Sequence, residues 1–238
     1  NAQETTIKLT SGITSAANIH TLNNTLASIA GANATAIHGN DITALSGTAL
    51  NILAVYAAKT SGAITLDGDE NVTIDESGSG GDAKVSVHDA NLIDTYTSGT
   101  ITGTILETDA STLSTLTGTG NAYTISVSAS GDAGDMVTLE TRTTLEIDMT
   151  SMTTLTGTLA EVEALLTLHD DDKVNLDSGS GVSVAVTLSD TNIAVDQANT
   201  ISGQTSGVVT ATLYVKNYSF KLSSKEFVAL TPSAEALN

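Results

Sequence analysis

The chain has 238 residues, enough for one large core or two small ones. Its 27 acidic against 8 basic residues give a formal charge of −19, which argues against nucleic acid and anionic membrane surfaces as partners, since phosphate contacts need clustered Lys and Arg. There is no cysteine, so thiol chemistry and disulfides are excluded, and no apolar run reaches the roughly 18–20 residues of a membrane span.

Residues 6–10 alternate in polarity and predict a short strand. Ile19, Leu22, Leu26 and Ile29, spaced by three or four, predict one face of a helix, capped by Ser15 or Asn18 and stopped by Gly31. Residues 42–45 predict a strand, Ser46-Gly47 a turn, and Thr48 the cap of a helix over 49–57. Strands at 63–66 and 72–74 flank an acidic loop, and the Gly- and Ser-rich 77–82 predicts a flexible turn or a boundary. Further strands are expected at 84–87, 100–105, 122–127, 137–139 and 143–147, with a short helix or irregular turn over 89–96 and a helical turn within 106–119. A helix near 159–168 carries Glu161 and Glu163 toward its N-terminus, where negative charge is favoured. A strand at 183–188 follows, then a short helix capped by Asp190 with Ile193, Ala194, Ala198 and Ile201 inward, then strands at 208–214 and 218–222.

A layout recurs along this order. Leu155-Thr156-Gly157-Thr158 is followed by Leu176-Asp177 and then Val182-Ser183-Val184; Leu45-Ser46-Gly47-Thr48 by Leu66-Asp67 and Val72-Thr73-Ile74; Leu116-Thr117-Gly118-Thr119, more loosely, by Leu139-Glu140 and Leu145-Glu146-Ile147. Thr-Ser-Gly followed closely by Ile or Val and Thr occurs at 10–14, 60–65, 97–102 and 205–210, which predicts a repeated corner where Gly turns the chain and a β-branched pair starts a strand. Organisation is therefore expected as an N-terminal strand–helix unit over 1–39, a repeat region over 40–210 with copies near 45–75, 116–148 and 155–186, and a C-terminal cap or interface over 211–238. The chain begins at Asn1, which predicts a piece of a longer precursor.

Taken together, the Leu-Thr/Ser-Gly-Thr turns, the short Ala/Leu helix, Leu-Asp and Thr-Ser-Gly-Val-Val-Thr resemble the Thr/Gly/Asp-rich LTGT repeat segments of large surface proteins of aquatic bacteria, cyanobacteria included, and of fibre proteins of their phages. The resemblance covers roughly residues 40–210 and implies a structural or adhesive extracellular module, with no catalytic residues to transfer.

Candidate sites are few. Asp67, Asp69, Asn71, Thr73 and Asp75 alternate oxygen ligands as a calcium loop does, but Val72 and Gly78 stand where an EF-hand needs Gly and Glu. A solvated acidic loop is the favoured reading and Ca²⁺ the cofactor if there is one. Asp170, Asp171 and Asp172 form a second acidic cluster at a helix C-terminus, where they oppose the helix dipole; a charged turn is favoured over a bound cation or an intersubunit partner. Tyr214, Tyr218, Phe220 and Phe227, four of the seven aromatic residues, gather in the last 30 residues and mark a candidate interface. No phosphate loop, Gly-x-Ser-x-Gly elbow or His-Glu-x-x-His pair is present, and the four His residues are isolated.

The fold expected from these patterns is mainly β with short helices, in a repetitive, elongated, solenoid-like architecture; tandem β-sandwich domains split near 77–82 or 128–135 are the alternative. The expected function is a non-catalytic structural subunit or segment of an extracellular assembly (surface layer, sheath, filament or fibre), at a cell or virion surface and associating with neighbouring subunits of that assembly. The alternative is an adhesin-type module recognising a glycan or cell surface. A β-helical polysaccharide lyase or hydrolase is a third class to which no residue points.

Overall fold

The computed structural model describes residues 7–10, 12–29, 36–75, 84–215 and 218–223. The chain divides into two compact units, the first made of Asn1–Leu106, Leu116–Thr124 and Arg142–Thr144, the second of Glu107–Thr115, Ile125–Thr141 and Leu145–Asn238.

The first unit runs β1 (Ile7–Lys8), β2 (Gly12–Ser15), α1 (Ala16–Ile29), β3 (Ile37–His38), β4 (Ile42–Gly47), α2 (Ala49–Thr60), β5 (Ile64–Thr65), β6 (Asn71–Ile74), β7 (Lys84–Val85), α3 (Val87–Asp94) and β8 (Ile101–Ile105). After α4 (Ala110–Leu113), which belongs to the second unit, the first is completed by β9 (Ala122–Thr124). Two parallel sheets result: the three short strands β1-β3-β5, and β2-β4-β6-β8-β7 with β9 paired to β8. The second unit continues with β10 (Ser126–Asp132), α5 (Ala133–Glu140), β11 (Ile147–Gly157), α6 (Leu159–Asp170), β12 (Val174–Asn175), β13 (Ala185–Leu188), α7 (Val195–Gln204), β14 (Val209–Val215) and β15 (Tyr218–Ser223). Its sheet order is β10-β11-β13-β14-β15 with β12 on β11, parallel throughout except for the antiparallel hairpin of β14 and β15.

This is an α/β fold. The expected mainly β, solenoid-like architecture and the tandem β-sandwich alternative are both overturned, and so is the description as a β-solenoid repeat protein. The reason lies in the crossovers. Parallel strands that are neighbours in a sheet need a connection of a dozen or more residues, and here helices of 14, 12, 12 and 10 residues supply it. The helices expected over 49–57 and near 159–168 contribute to the core: Ile52, Val55 and Tyr56 of α2, and Val162, Leu165 and Leu166 of α6, are all buried. Alternation along the strands has a second origin here. In β6 Val72 and Ile74 are buried while Asn71 and Thr73 are exposed, and β13 alternates likewise. Such a pattern usually belongs to antiparallel sheets with one solvated face. Here it belongs to parallel strands covered by helices on one face.

That open face explains the abundance of threonine. Register places Ser46, Thr73 and Thr102 side by side on β4, β6 and β8, and Thr156, Thr187 and Thr210 side by side on β11, β13 and β14. A β-branched side chain keeps the strand extended and its hydroxyl meets water.

Strand-to-helix switches are set by capping residues. Thr48, Ser86 and Thr158 directly follow the last residues of β4, β7 and β11 or stand one residue before the helix, and each accepts the backbone N–H three positions on, from Asn51, Asp89 and Glu161. Glu161 returns the bond, its Oε2 accepting from the Thr158 N–H at 2.7 Å and hydroxyl at 2.8 Å. These bonds hold its carboxyl below the ordinary value. Asp132 accepts from Gly134 and Asp135 and so turns residues 133–140, in which a strand at 137–139 is expected, into α5 with Met136 and Leu139 buried. Asp190 does not cap α7; its carboxylate accepts from the Leu159 N–H at 2.6 Å, and the N-cap of α7 is Ala194.

The register between β10 and β11 shifts twice, and at the second shift Ala129 has φ 66. An alanine held in the left-handed region costs roughly 1–2 kcal/mol. Ala129→Gly is expected to raise the stability of the second unit by about 1 kcal/mol, read as a higher melting temperature in calorimetry. An unchanged or lower value would show that no strain resides there.

Candidate functional site

The most regular chemistry in the molecule sits at corners between a helix and the following strand. In the first unit the buried Thr97 hydroxyl donates to the Glu70 carbonyl at 2.6 Å and accepts the Gly99 N–H at 3.0 Å. The Ser98 N–H and hydroxyl both donate to the Gly68 carbonyl, at 2.8 and 3.3 Å. The second unit repeats this with Thr205, whose hydroxyl donates to the Val184 carbonyl at 2.7 Å and accepts the Gly207 N–H at 3.0 Å, while Ser206 donates twice to the Val182 carbonyl at 2.9 and 3.2 Å. A third corner uses Thr143, whose hydroxyl donates to the Tyr123 carbonyl at 2.7 Å, with Thr144 donating to the Asn121 carbonyl. In the first two cases a hydroxyl satisfies a carbonyl just before the strand that pairs with the one after the corner, β6 with β8 and β13 with β14, and in the third a carbonyl of β9, so these backbone acceptors are paired within the protein.

Glycine is required at two of these corners for space. A Cβ on Gly99 would lie 2.4 Å from the Glu70 carbonyl oxygen, and one on Gly207 2.2 Å from that of Val184. Of the other Thr-Ser-Gly occurrences, the one at 60–62 stops α2, with Gly62 at φ 79 and the Ala63 N–H bonded to the Ala58 carbonyl. In the one at 10–12, Ser11 lies outside the described residues. The Leu116-Thr117-Gly118-Thr119 stretch is a loop and not a strand-to-helix switch.

Beside the first corner lies a carboxylate that sequence reasoning passed over. Glu70 is fully buried; one oxygen accepts the Gly68 N–H at 2.9 Å and the other faces the Tyr56 hydroxyl at 3.4 Å. The Tyr56 ring stacks on Tyr96 with centroids 5.1 Å apart, and Lys59 Nζ lies 5.9 Å from the Tyr56 centroid. Burial, reinforced by the Glu70 charge, raises the Tyr56 phenol well above its ordinary value. Tyr123 is fully buried too, its hydroxyl has no hydrogen-bond partner among the described residues, and burial followed by the Asp94 charge raises its phenol likewise. No sequence signal separates Glu70 from its exposed neighbours in the acidic loop.

The acidic residues singled out from sequence are all exposed. Asp67 and Asp69 are exposed, and the Asp67 carboxylate accepts from the Asn40 side chain. Asn71 is engaged by the Thr100 N–H at 2.9 Å, and Asp75 is exposed at the end of β6. Asp170, Asp171 and Asp172 are exposed where α6 ends, Asp171 being its C-cap and Asp172 having φ 56. Among the described residues no group of three or more His, Asp or Glu side chains is placed to hold a metal ion. Another acidic feature, absent from the sequence reading, is a depression of 370 Å³ in the second unit bordered by Asp109, Asp132 and Asp135. Asp109 and Asp132 are occupied there as helix caps, and hydrogen bonds from Thr112 and Ser111 hold the Asp109 carboxyl below its ordinary value.

Of the aromatic group, Tyr214 is 57% exposed at the end of β14. Tyr218 and Phe220 lie on β15, opposite Val215 and Leu213, with side chains outside the described residues, as is the whole of Phe227. Tyr214 borders a shallow depression of 320 Å³ with Asn192, Ala194 and Gln197. No protein-family model, curated protein or solved structure matches the chain.

Proposed function

We propose that the chain is a non-catalytic structural segment of an extracellular assembly, a surface layer, sheath, filament or fibre, joined there to neighbouring segments. The observation that carries this reading is the use of the hydroxyl groups. Thr97, Thr143 and Thr205 are buried and donate to backbone carbonyls, which makes them ties between strands and leaves them no role as nucleophiles. Rows of Thr on the open sheet faces fit the same reading, because they give an extended, uniform, polar surface. The resemblance to LTGT segments of bacterial surface and phage fibre proteins belongs to this proposal, as do the extracellular location and any bridging of exposed carboxylates by Ca²⁺.

Negative-stain electron microscopy of the purified chain, with millimolar calcium and with a chelator, tests it. Ordered fibres, tubes or sheets are expected, and their loss in chelator would make the acidic loops cation bridges. Dispersed particles under both conditions would overturn self-association of this segment.

A further inference from the structure

We infer that the depression at the start of α7 is a binding subsite for a neutral saccharide, with Tyr214 as its platform and Asn192 and Gln197 as its polar contacts. Tyr214 is the exposed aromatic residue among those described; Tyr56 and Tyr123 are fully buried and Tyr96 is stacked. A half-exposed tyrosine keeps an apolar ring face in contact with water unless something covers it, while its hydroxyl remains a polar handle. The depression it borders holds 320 Å³ and is completed by Asn192, Ala194 and Gln197.

The local sequence explains how the amides come to be presented. Ala194 occupies the N-cap of α7 and has no side chain to cap with. Gln197 folds back instead, its Oε1 accepting the Ala194 N–H at 3.1 Å. That bond fixes the side chain and leaves its NH₂ as a donor. Ala194 lines the depression with no more than a methyl group. Asn192 makes no side-chain hydrogen bond among the described residues, so its amide can both donate and accept.

The lining has no Lys, Arg, Asp or Glu, which makes a charged ligand a poor match. An aromatic face beside two amides suits a ring with an apolar C–H face and vicinal hydroxyls, and that is a sugar. A net charge of −19 disfavours anionic polysaccharides and narrows the class to neutral ones. This inference stands apart from self-association, since the site needs only residues of the second unit.

Native gel electrophoresis of the full chain through gels containing soluble neutral polysaccharides (hydroxyethyl cellulose, xylan, laminarin, galactomannan, dextran and glycol chitin) tests it, with calorimetric titration of the corresponding oligosaccharides. At least one polymer is expected to retard the chain. Tyr214→Ala should abolish the retardation and Tyr214→Phe should keep most of it. Gln197→Glu retains the acceptor for Ala194 but loses the donor, and should weaken binding about tenfold. Far-UV circular dichroism establishes that each variant is folded, and velocity sedimentation that the sample is dispersed, so failure here is read separately from failure to assemble. No retardation by any polymer, or equal retardation of Tyr214→Ala, overturns the site.

Discussion

Gly207→Ala is expected to destabilise the second unit by about 3 kcal/mol and to lower its melting temperature by roughly 10 °C. The added methyl carbon would stand 2.2 Å from the Val184 carbonyl oxygen and 2.5 Å from its carbon, both backbone atoms that cannot swing aside. Relief requires opening the corner, and opening it breaks the bond from the Thr205 hydroxyl to the Val184 carbonyl and the two from Ser206 to the Val182 carbonyl. Gly99→Ala in the first unit meets the same obstacle, 2.4 Å from the Glu70 carbonyl oxygen. Gly203→Ala is the control. It lies in α7 with nothing within 4 Å of an added Cβ, and should stabilise by about 1 kcal/mol through helix propensity. Scanning calorimetry of the three variants separates the cases. Equal shifts for Gly203→Ala and Gly207→Ala would mean that the corner is not tight.

The second large effect is alkaline. Tyr56 and Tyr123 are both buried in the first unit, and burial raises both phenols above the ordinary value of 10.0. In the unfolded chain each releases its proton near that ordinary value while the folded unit retains it. The stability they contribute is therefore whole below pH 10 and falls as pH rises further, by about 1.4 kcal/mol per pH unit for each tyrosine. With two such groups the loss comes to about 5 kcal/mol within the first two pH units above pH 10, enough to unfold a unit at the low end of ordinary stability. The tyrosinate absorbance of Tyr56 and Tyr123, taken as the difference between the unsubstituted chain and one carrying Tyr56→Phe and Tyr123→Phe, is expected to change together with far-UV circular dichroism in one cooperative step. Tyr56→Phe combined with Tyr123→Phe should flatten the slope, and Tyr123→Phe alone removes a buried hydroxyl without a partner among the described residues and should not weaken the fold at pH 7. A difference signal from Tyr56 and Tyr123 that appears near pH 10 while the fold persists would refute their burial.

Local structure was legible where one residue decides it. Thr48 ahead of an apolar run marks α2, and Thr158 with Glu161 marks α6, because capping is read within four residues. The Thr-Ser-Gly corner was legible as a recurring bend at 97 and 205, though its partner carbonyls, 27 and 21 residues back respectively, were not. The third corner, Thr143-Thr144, lacks Ser-Gly and gave no signal. Alternation does not reveal fold class, because it reports a face in water and not the direction of the neighbouring strand. Glu70 and Gln197 escaped notice for a related reason: burial and back-folding depend on residues far from them or on an absent cap, and neither leaves a local pattern.

In the larger sheet of each unit the main strands pair in chain order. Parallel partners lie close along the chain, from 20 residues between Thr102 and Ala122 to 31 between Leu155 and Val186. Loop closure over such lengths is cheap in entropy, and contact order stays low for a sheet made of parallel strands. A growing chain can therefore add one strand to the sheet for each helix completed, starting while later segments are still being synthesised. The antiparallel return of β15 onto β14 then takes the outer position beside the last parallel strand.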